Sequence, residues 1–170
     1  MEDMENTLDI PVVDSEIIKN PELKMLVEYK LGKSNFRQDD LVDIKDIILD
    51  GMKIDGSINF VYFQELELFP NLEEIELKNL AISEENVARL KRIPNVKFYK
   101  CEVENFKQLN SQESVSIVSS KINGMEEIAK IIPLENLELT NVEIEDFNFL
   151  RSLENLKTLK IKNIDRILTR

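Results

Sequence analysis

"PLENLELTNVEI", residues 133–144, sets leucine at Leu134, Leu137 and Leu139 and then Val142 and Ile144. Steps of three, two, three and two fit neither a helix, whose apolar stripe recurs every three or four residues, nor a strictly alternating strand. Leu137 and Leu139 lie two apart, as on one face of a strand, and Val142 and Ile144 turn inward as the chain leaves it. One strand with its exit turn cannot bury that apolar set alone, so the pattern asks for copies of itself stacked alongside.

The copies are there. Aligned on "LELTNVEI" (137–144), five more segments fit: "IILDGMKI" (47–54), "IELKNLAI" (75–82), "VKFYKCEV" (96–103), "VSIVSSKI" (115–122) and "LKIKNIDR" (159–166). With the places of each segment numbered one to eight, places one and three are apolar in all six and place eight in five. Three residues ahead stand Ile44, Leu72, Ile93, Gln112, Leu134 and Leu156, apolar in five of six. The segments start 28, 21, 19, 22 and 22 residues apart. Such a period carries the chain through a strand, over a short return, and back to the next parallel strand. The returns are apolar at helix-like intervals: Val87, Leu90 and Ile93; Met125, Ile128, Ile131 and Ile132; Phe147, Leu150 and Leu153.

The motifs "NLEEIELKNLAI", "LENLELTNVEI" and "NLKTLKIKNID" resemble the leucine-rich repeat family, in particular its bacterial, internalin-like branch. The resemblance covers residues from about 41 to 170. It implies an α/β leucine-rich repeat solenoid, a curved parallel sheet of about six strands with short helical or 3-10 returns. One departure stands out. The family places asparagine at place six, where its side chain satisfies turn backbone groups. Here place six holds Met52, Leu80, Cys101, Ser120, Val142 and Ile164, while Asn79, Asn141 and Asn163 sit one residue earlier. The turns must therefore meet their hydrogen bonds differently.

A stack exposes its core at each end unless capped. "NPELKMLVEYKLGK" reads as a capping helix, with Asn20 as N-cap, Pro21 at the first position and Gly32 as the stop. Leu23, Leu26, Val27 and Leu31 form its apolar face. The expected organisation is residues 1–40 as an acidic segment and helical cap, and 41–170 as the repeats, in one structural unit. At the other end Arg166 occupies a normally apolar place before Arg170, which predicts an open last strand available for self-association.

Composition narrows the function. With 42% apolar and 32% charged residues the chain reads as a globular domain. Its net charge of −11 and dispersed lysines and arginines argue against nucleic acid, and a C-terminal group (Lys157, Lys160, Lys162, Arg166, Arg170) reads as a solvated end. No run of eighteen apolar residues predicts membrane insertion. A single cysteine and an acidic N-terminus without a signal pattern favour a cytoplasmic protein, the alternative being a fragment of a secreted or surface protein.

Chemistry finds little footing. There is no histidine for acid–base, triad or metal-His chemistry, and no phosphate-binding glycine pattern. Cys101 falls at an inward place, as a packing thiol. "DGSINFVYF", from Asp55, imitates half of an EF-hand loop, but Gly51, Lys53 and Tyr62 fall where oxygen ligands belong. Its better reading is a long first return, with Ile58, Phe60, Phe63, Leu66 and Phe69 packing inward. No enzyme, cofactor or metal is expected.

What remains is the polar side of the strands. Alternation turns Asp46, Ile48 and Asp50; Glu74, Glu76 and Lys78; Asn95, Lys97 and Tyr99; Ser114, Ser116 and Val118; Asn136, Glu138 and Thr140; and Thr158, Lys160 and Lys162 outward. The resemblance implies a recognition module holding an unknown protein partner on the concave face, graded from acidic near the cap to basic near the C-terminus. The candidate contacts are Asp46, Asp50, Glu74, Glu76, Lys78, Lys97, Tyr99, Glu138, Thr140, Lys160 and Lys162. The alternative is an assembly segment that forms a homodimer through its C-terminal edge.

Overall fold

A computed structural model describes residues 17–52 and 60–166. The readings made for residues 1–16, Ile54, Ile58 and Arg170, and for the side chains of Phe60 and Arg166, lie outside the described residues.

The chain enters through helix α1 (Pro21–Leu31). Extended backbone at Asn20 lets its side-chain carbonyl accept the Leu23 N–H at 2.6 Å, and Gly32 ends the helix at φ +66°. Leu23 and Val27 are buried and Leu26 and Leu31 half-buried, while a 3-10 turn over Gln38–Asp43 adds Leu41 to the same core. A contact not anticipated from the sequence fastens this end. Buried Glu65, on the first return, accepts the Lys19 N–H at 2.6 Å and the Asn20 N–H at 3.4 Å.

The strands are β1 (Asp46–Asp50), β2 (Glu74–Lys78), β3 (Ala81–Ile82), β4 (Asn95–Tyr99), β5 (Glu102–Val103), β6 (Ser114–Val118), β7 (Lys121–Ile122), β8 (Asn136–Thr140), β9 (Glu143–Ile144), β10 (Thr158–Lys162) and β11 (Asp165–Arg166). Six of them form one parallel sheet in the order β1-β2-β4-β6-β8-β10. Its register reproduces the sequence alignment: Ile47, Ile75, Val96, Val115, Leu137 and Leu159 make one continuous row, and Leu49, Leu77, Phe98, Ile117, Leu139 and Ile161 another. Both rows are buried from β1 through β8. On β10, the edge strand of this sheet among the described residues, Leu159 and Ile161 are 44% and 40% exposed. Burial of one such side chain stabilises by about 1.5–3 kcal/mol, and each repeat obtains it only from its neighbours.

The returns close the other side of the core. They comprise α2 (Phe60–Glu65) with a 3-10 turn at Leu66–Leu68, α3 (Glu84–Arg89) capped by Ser83, and 3-10 turns at Met125–Lys130 and Asn148–Ser152. Phe63, Leu66, Phe69, Val87, Leu90, Ile93, Met125, Ile128 and Ile131 point inward as their spacing predicts. Three positions differ. Ile132 is 77% exposed because Ile131 already occupies the inward position. Phe147 lies at the solvent border, since the turn begins after it and brings Phe149 inward instead. Met52 is exposed although Leu80, Cys101 and Val142 at the same place are buried.

The return over 104–112 has no helix; Phe106 and Leu109 fill it, with the Phe106 ring 5.3 Å from that of Phe98. Gln112, the polar residue among otherwise apolar equivalents, is fully buried there. Its Nε2 donates to the carbonyls of Leu90, Lys91 and Ile93 at 3.2–3.3 Å, tying this irregular return to the preceding one.

The shifted asparagines now have a cause. Place five is left-handed in Asn79, Lys100, Ser119, Asn141 and Asn163, with φ between +48° and +53°. Asparagine tolerates that region better than most residues. The N–H groups at this place form their own ladder: Gly51 to Lys78 O at 2.8 Å, Asn79 to Tyr99 O, Lys100 to Val118 O and Asn141 to Lys162 O at 3.0 Å, and Ser119 to Thr140 O at 2.9 Å. In the first turn Gly51 is needed for proximity, because a Cβ there would stand 2.3 Å from the Asn79 carbonyl oxygen.

Candidate binding face

The fold is a leucine-rich repeat solenoid, and its long sheet packs one side on the core and offers the other to solvent. Parallel register arranges the solvent side in three rows. Asp46, Glu74, Asn95, Ser114, Asn136 and Thr158 form the first; Ile48, Glu76, Lys97, Ser116, Glu138 and Lys160 the second; Asp50, Lys78, Tyr99, Val118, Thr140 and Lys162 the third. All eleven candidate residues of the sequence reading lie on these rows, across five of the six strands.

Neighbouring strands stand about 4.8 Å apart, so a carboxylate and a lysine one repeat apart are within reach. The Lys97 ammonium lies 2.9 Å from Glu74, Lys78 lies 3.1 Å from Glu76 on its own strand, and Lys160 pairs with Glu138. Lys30 of the cap helix reaches Asp46 at 2.5 Å. Asp50 accepts the Met52 N–H at 3.1 Å and the Asn79 side-chain amide at 2.9 Å. The acidic-to-basic gradient drawn from the sequence is thus divided into local pairs, and among the described residues Lys162 is the lysine of these rows with no ion pair.

Glu138 gathers three side chains around its carboxylate. The Lys160 ammonium beside it holds its pKa below the ordinary glutamate value, helped by the Ser116 hydroxyl at 2.9 Å and the Thr140 hydroxyl at 3.4 Å. Toward the middle of the face the charge thins out. Tyr99 is 37% exposed there, with the Lys100 ammonium 5.3 Å from its ring centroid and Val118 beside it in the row. Lys30, Lys100 and Ser116 were missed as contributors. Ser116 was legible from its row, but the reach of the cap helix to Asp46 was not.

Cys101 is buried under β4, its thiol facing the Leu77 carbonyl at 3.2 Å, and burial pushes its pKa up. A thiol so placed packs rather than attacks. Among the described residues no helix is long and apolar enough to cross a membrane.

No family model and no curated protein matches the chain. Solved structures do. Internalin C2 from Listeria monocytogenes aligns over 92% of this chain and 90% of its own, with 20% identity and a TM-score of 0.44. An internalin F from the same organism aligns over 94% of this chain at 17% identity and a TM-score of 0.44, and the match spans 61% of that protein.

Proposed function

We propose that the chain is a non-enzymatic scaffold that captures a protein partner on the solvent face of its sheet, the side expected to be concave. The observation that carries this reading is the pairing of charges around an exposed Tyr99. Docking onto a face whose carboxylates already hold lysines leaves few charges desolvated and unpaired, and an aromatic side chain with a polar tip is a common interface anchor. The neighbouring Glu76, Lys97, Glu138 and Thr140 then fix orientation more than affinity.

The experiment is affinity capture from the source cell's lysate with the native protein and a Glu76→Lys, Tyr99→Ala double variant of equal thermal stability. The expected result is a partner held by the first and lost by the second. Retention by both removes the sheet face from consideration.

Exposure of Leu159 and Ile161 on β10 favours a second reading, self-association through that edge. Sedimentation across a dilution series separates the two: a concentration-dependent dimer abolished by Ile161→Lys supports the edge, and a monomer throughout excludes it.

A further inference from the structure

The exit turns form a ladder of their own, and it is broken at one step. Between β3 and β5 the Glu102 N–H donates to Leu80 O at 2.8 Å and the Glu104 N–H to Ile82 O at 2.9 Å. Between β5 and β7 the same two positions bond again, Lys121 to Cys101 O at 2.9 Å and Asn123 to Val103 O at 3.1 Å. By register the next two bonds should run from Glu143 to Ser120 O and from Glu145 to Ile122 O. Among the described residues neither forms: β3-β5-β7 and β9-β11 are separate sheets, although β6 and β8 beneath them pair in full register.

An open cleft of about 780 Å³ lies at that break. This volume is in the range of ligand clefts, about 300–1,000 Å³. Its walls are the facing free edges of β7 and β9; half-buried Ile122 contributes apolar surface, while Met125, Ile144 and Phe149 at its floor are buried in the core. Four carboxylates, Glu126, Glu143, Glu145 and Asp146, line it against the single cation Lys121, which also faces Glu102 at 3.5 Å. No ion pair is formed by these four among the described residues.

We infer that this cleft binds an extended, lysine- or arginine-rich peptide segment of a protein partner, which adds as a short strand to the free edge of β7. Three features select that occupant together. Unused main-chain groups in strand geometry match an extended backbone, Ile122 on the β7 edge offers an apolar contact to one of its side chains, and the carboxylates without ion pairs take the cationic ones. The site lies on the exit-turn side of the solenoid, apart from the solvent face of the sheet, and does not depend on the reading proposed for that face.

The test uses the full chain and a blocked peptide of alternating lysine and valine, with titration followed by amide chemical shifts. The expected result is saturable binding with shifts at 120–126 and 141–146, weakened about tenfold by Glu143→Lys with Glu145→Lys, a change of about 1.4 kcal/mol. A Glu74→Lys variant on the sheet face keeps the affinity. Proline in place of the valines abolishes strand addition and should abolish binding. The inference is overturned by equal binding of an alternating glutamate and valine peptide, by shifts confined to the sheet face, by no saturable binding, or by undiminished affinity of the proline peptide.

Discussion

Replacing Leu139 and Ile161 by alanine, one at a time, tests whether the core is assembled by stacking and stops at β10. The two residues occupy the same place of adjacent repeats and are register partners. Leu139 is fully buried between β6 and β10, whereas Ile161 keeps 40% of its surface exposed. Leu139→Ala loses the transfer energy of its side chain and leaves a cavity between two strands that hold their positions, a cost of about 3–4 kcal/mol. Ile161→Ala opens onto solvent, leaves no enclosed void, and forfeits only the covered part of the transfer term, about 1 kcal/mol. With a urea dependence of about 2 kcal/mol/M, the midpoints should fall by about 1.5–2 M and about 0.5 M. Urea unfolding at low protein concentration, followed by far-UV circular dichroism and tyrosine fluorescence together, gives the midpoints and checks that the stack unfolds as one unit. Equal costs would refute the open edge. A cost for Ile161→Ala that grows with protein concentration would instead show a second copy covering β10.

Further substitutions separate other terms. Gly51→Ala drives a methyl group against the Asn79 carbonyl and should cost about 1–3 kcal/mol through overpacking, whereas Gly32→Ala, at φ +66° with open space around it, should cost about 1 kcal/mol through backbone strain; thermal melts compare them. The Glu138 carboxyl should titrate below the ordinary glutamate range in carbon-detected NMR, and Lys160→Met should move it back up. A lowered folded-state pKa means that its stabilising contribution is present above the unfolded value and lost as pH falls through the folded one. Cys101, buried with a raised pKa, should react with a thiol reagent about a hundredfold more slowly in the native protein than in urea.

The sheet was legible because its signal is redundant. Six segments repeat the same two apolar places, and one shared register satisfies them all. The returns were legible in type but not residue by residue. Ile131 and Ile132 are both isoleucine, and nothing local says which turns inward. Phe147 and Phe149 pose the same choice, decided by where the 3-10 turn starts. Gln112 read as a mismatch because its partners, the carbonyls of Leu90, Lys91 and Ile93, are about twenty residues away and carry no side-chain signature. Glu65 was invisible for the same reason, since it binds backbone amides at the start of the cap helix. The rows of the candidate face followed from alternation, but the pairing of its charges needed the register and the side-chain reach as well.

That pairing bears on where long-range electrostatics can act. The three rows of the sheet face carry five carboxylates, Asp46, Asp50, Glu74, Glu76 and Glu138, against four lysines, Lys78, Lys97, Lys160 and Lys162, while the whole chain has a net charge of −11. Among the described residues most of the acidic excess therefore lies off this face, and the exit-turn cleft holds a share of it, four carboxylates against Lys121. A nearly neutral face exerts little field beyond a Debye length of about 8 Å, so recognition there depends on shape and on Tyr99 and changes little with salt. The cleft works the opposite way. A cationic segment is drawn to it from a distance, and its association slows as ionic strength rises. One partner contacting both surfaces would show a salt-sensitive association rate set by the cleft carboxylates and a dissociation rate set by the sheet face. Glu143→Lys should then slow capture, Tyr99→Ala should hasten release, and kinetic binding traces at two salt concentrations distinguish the contributions.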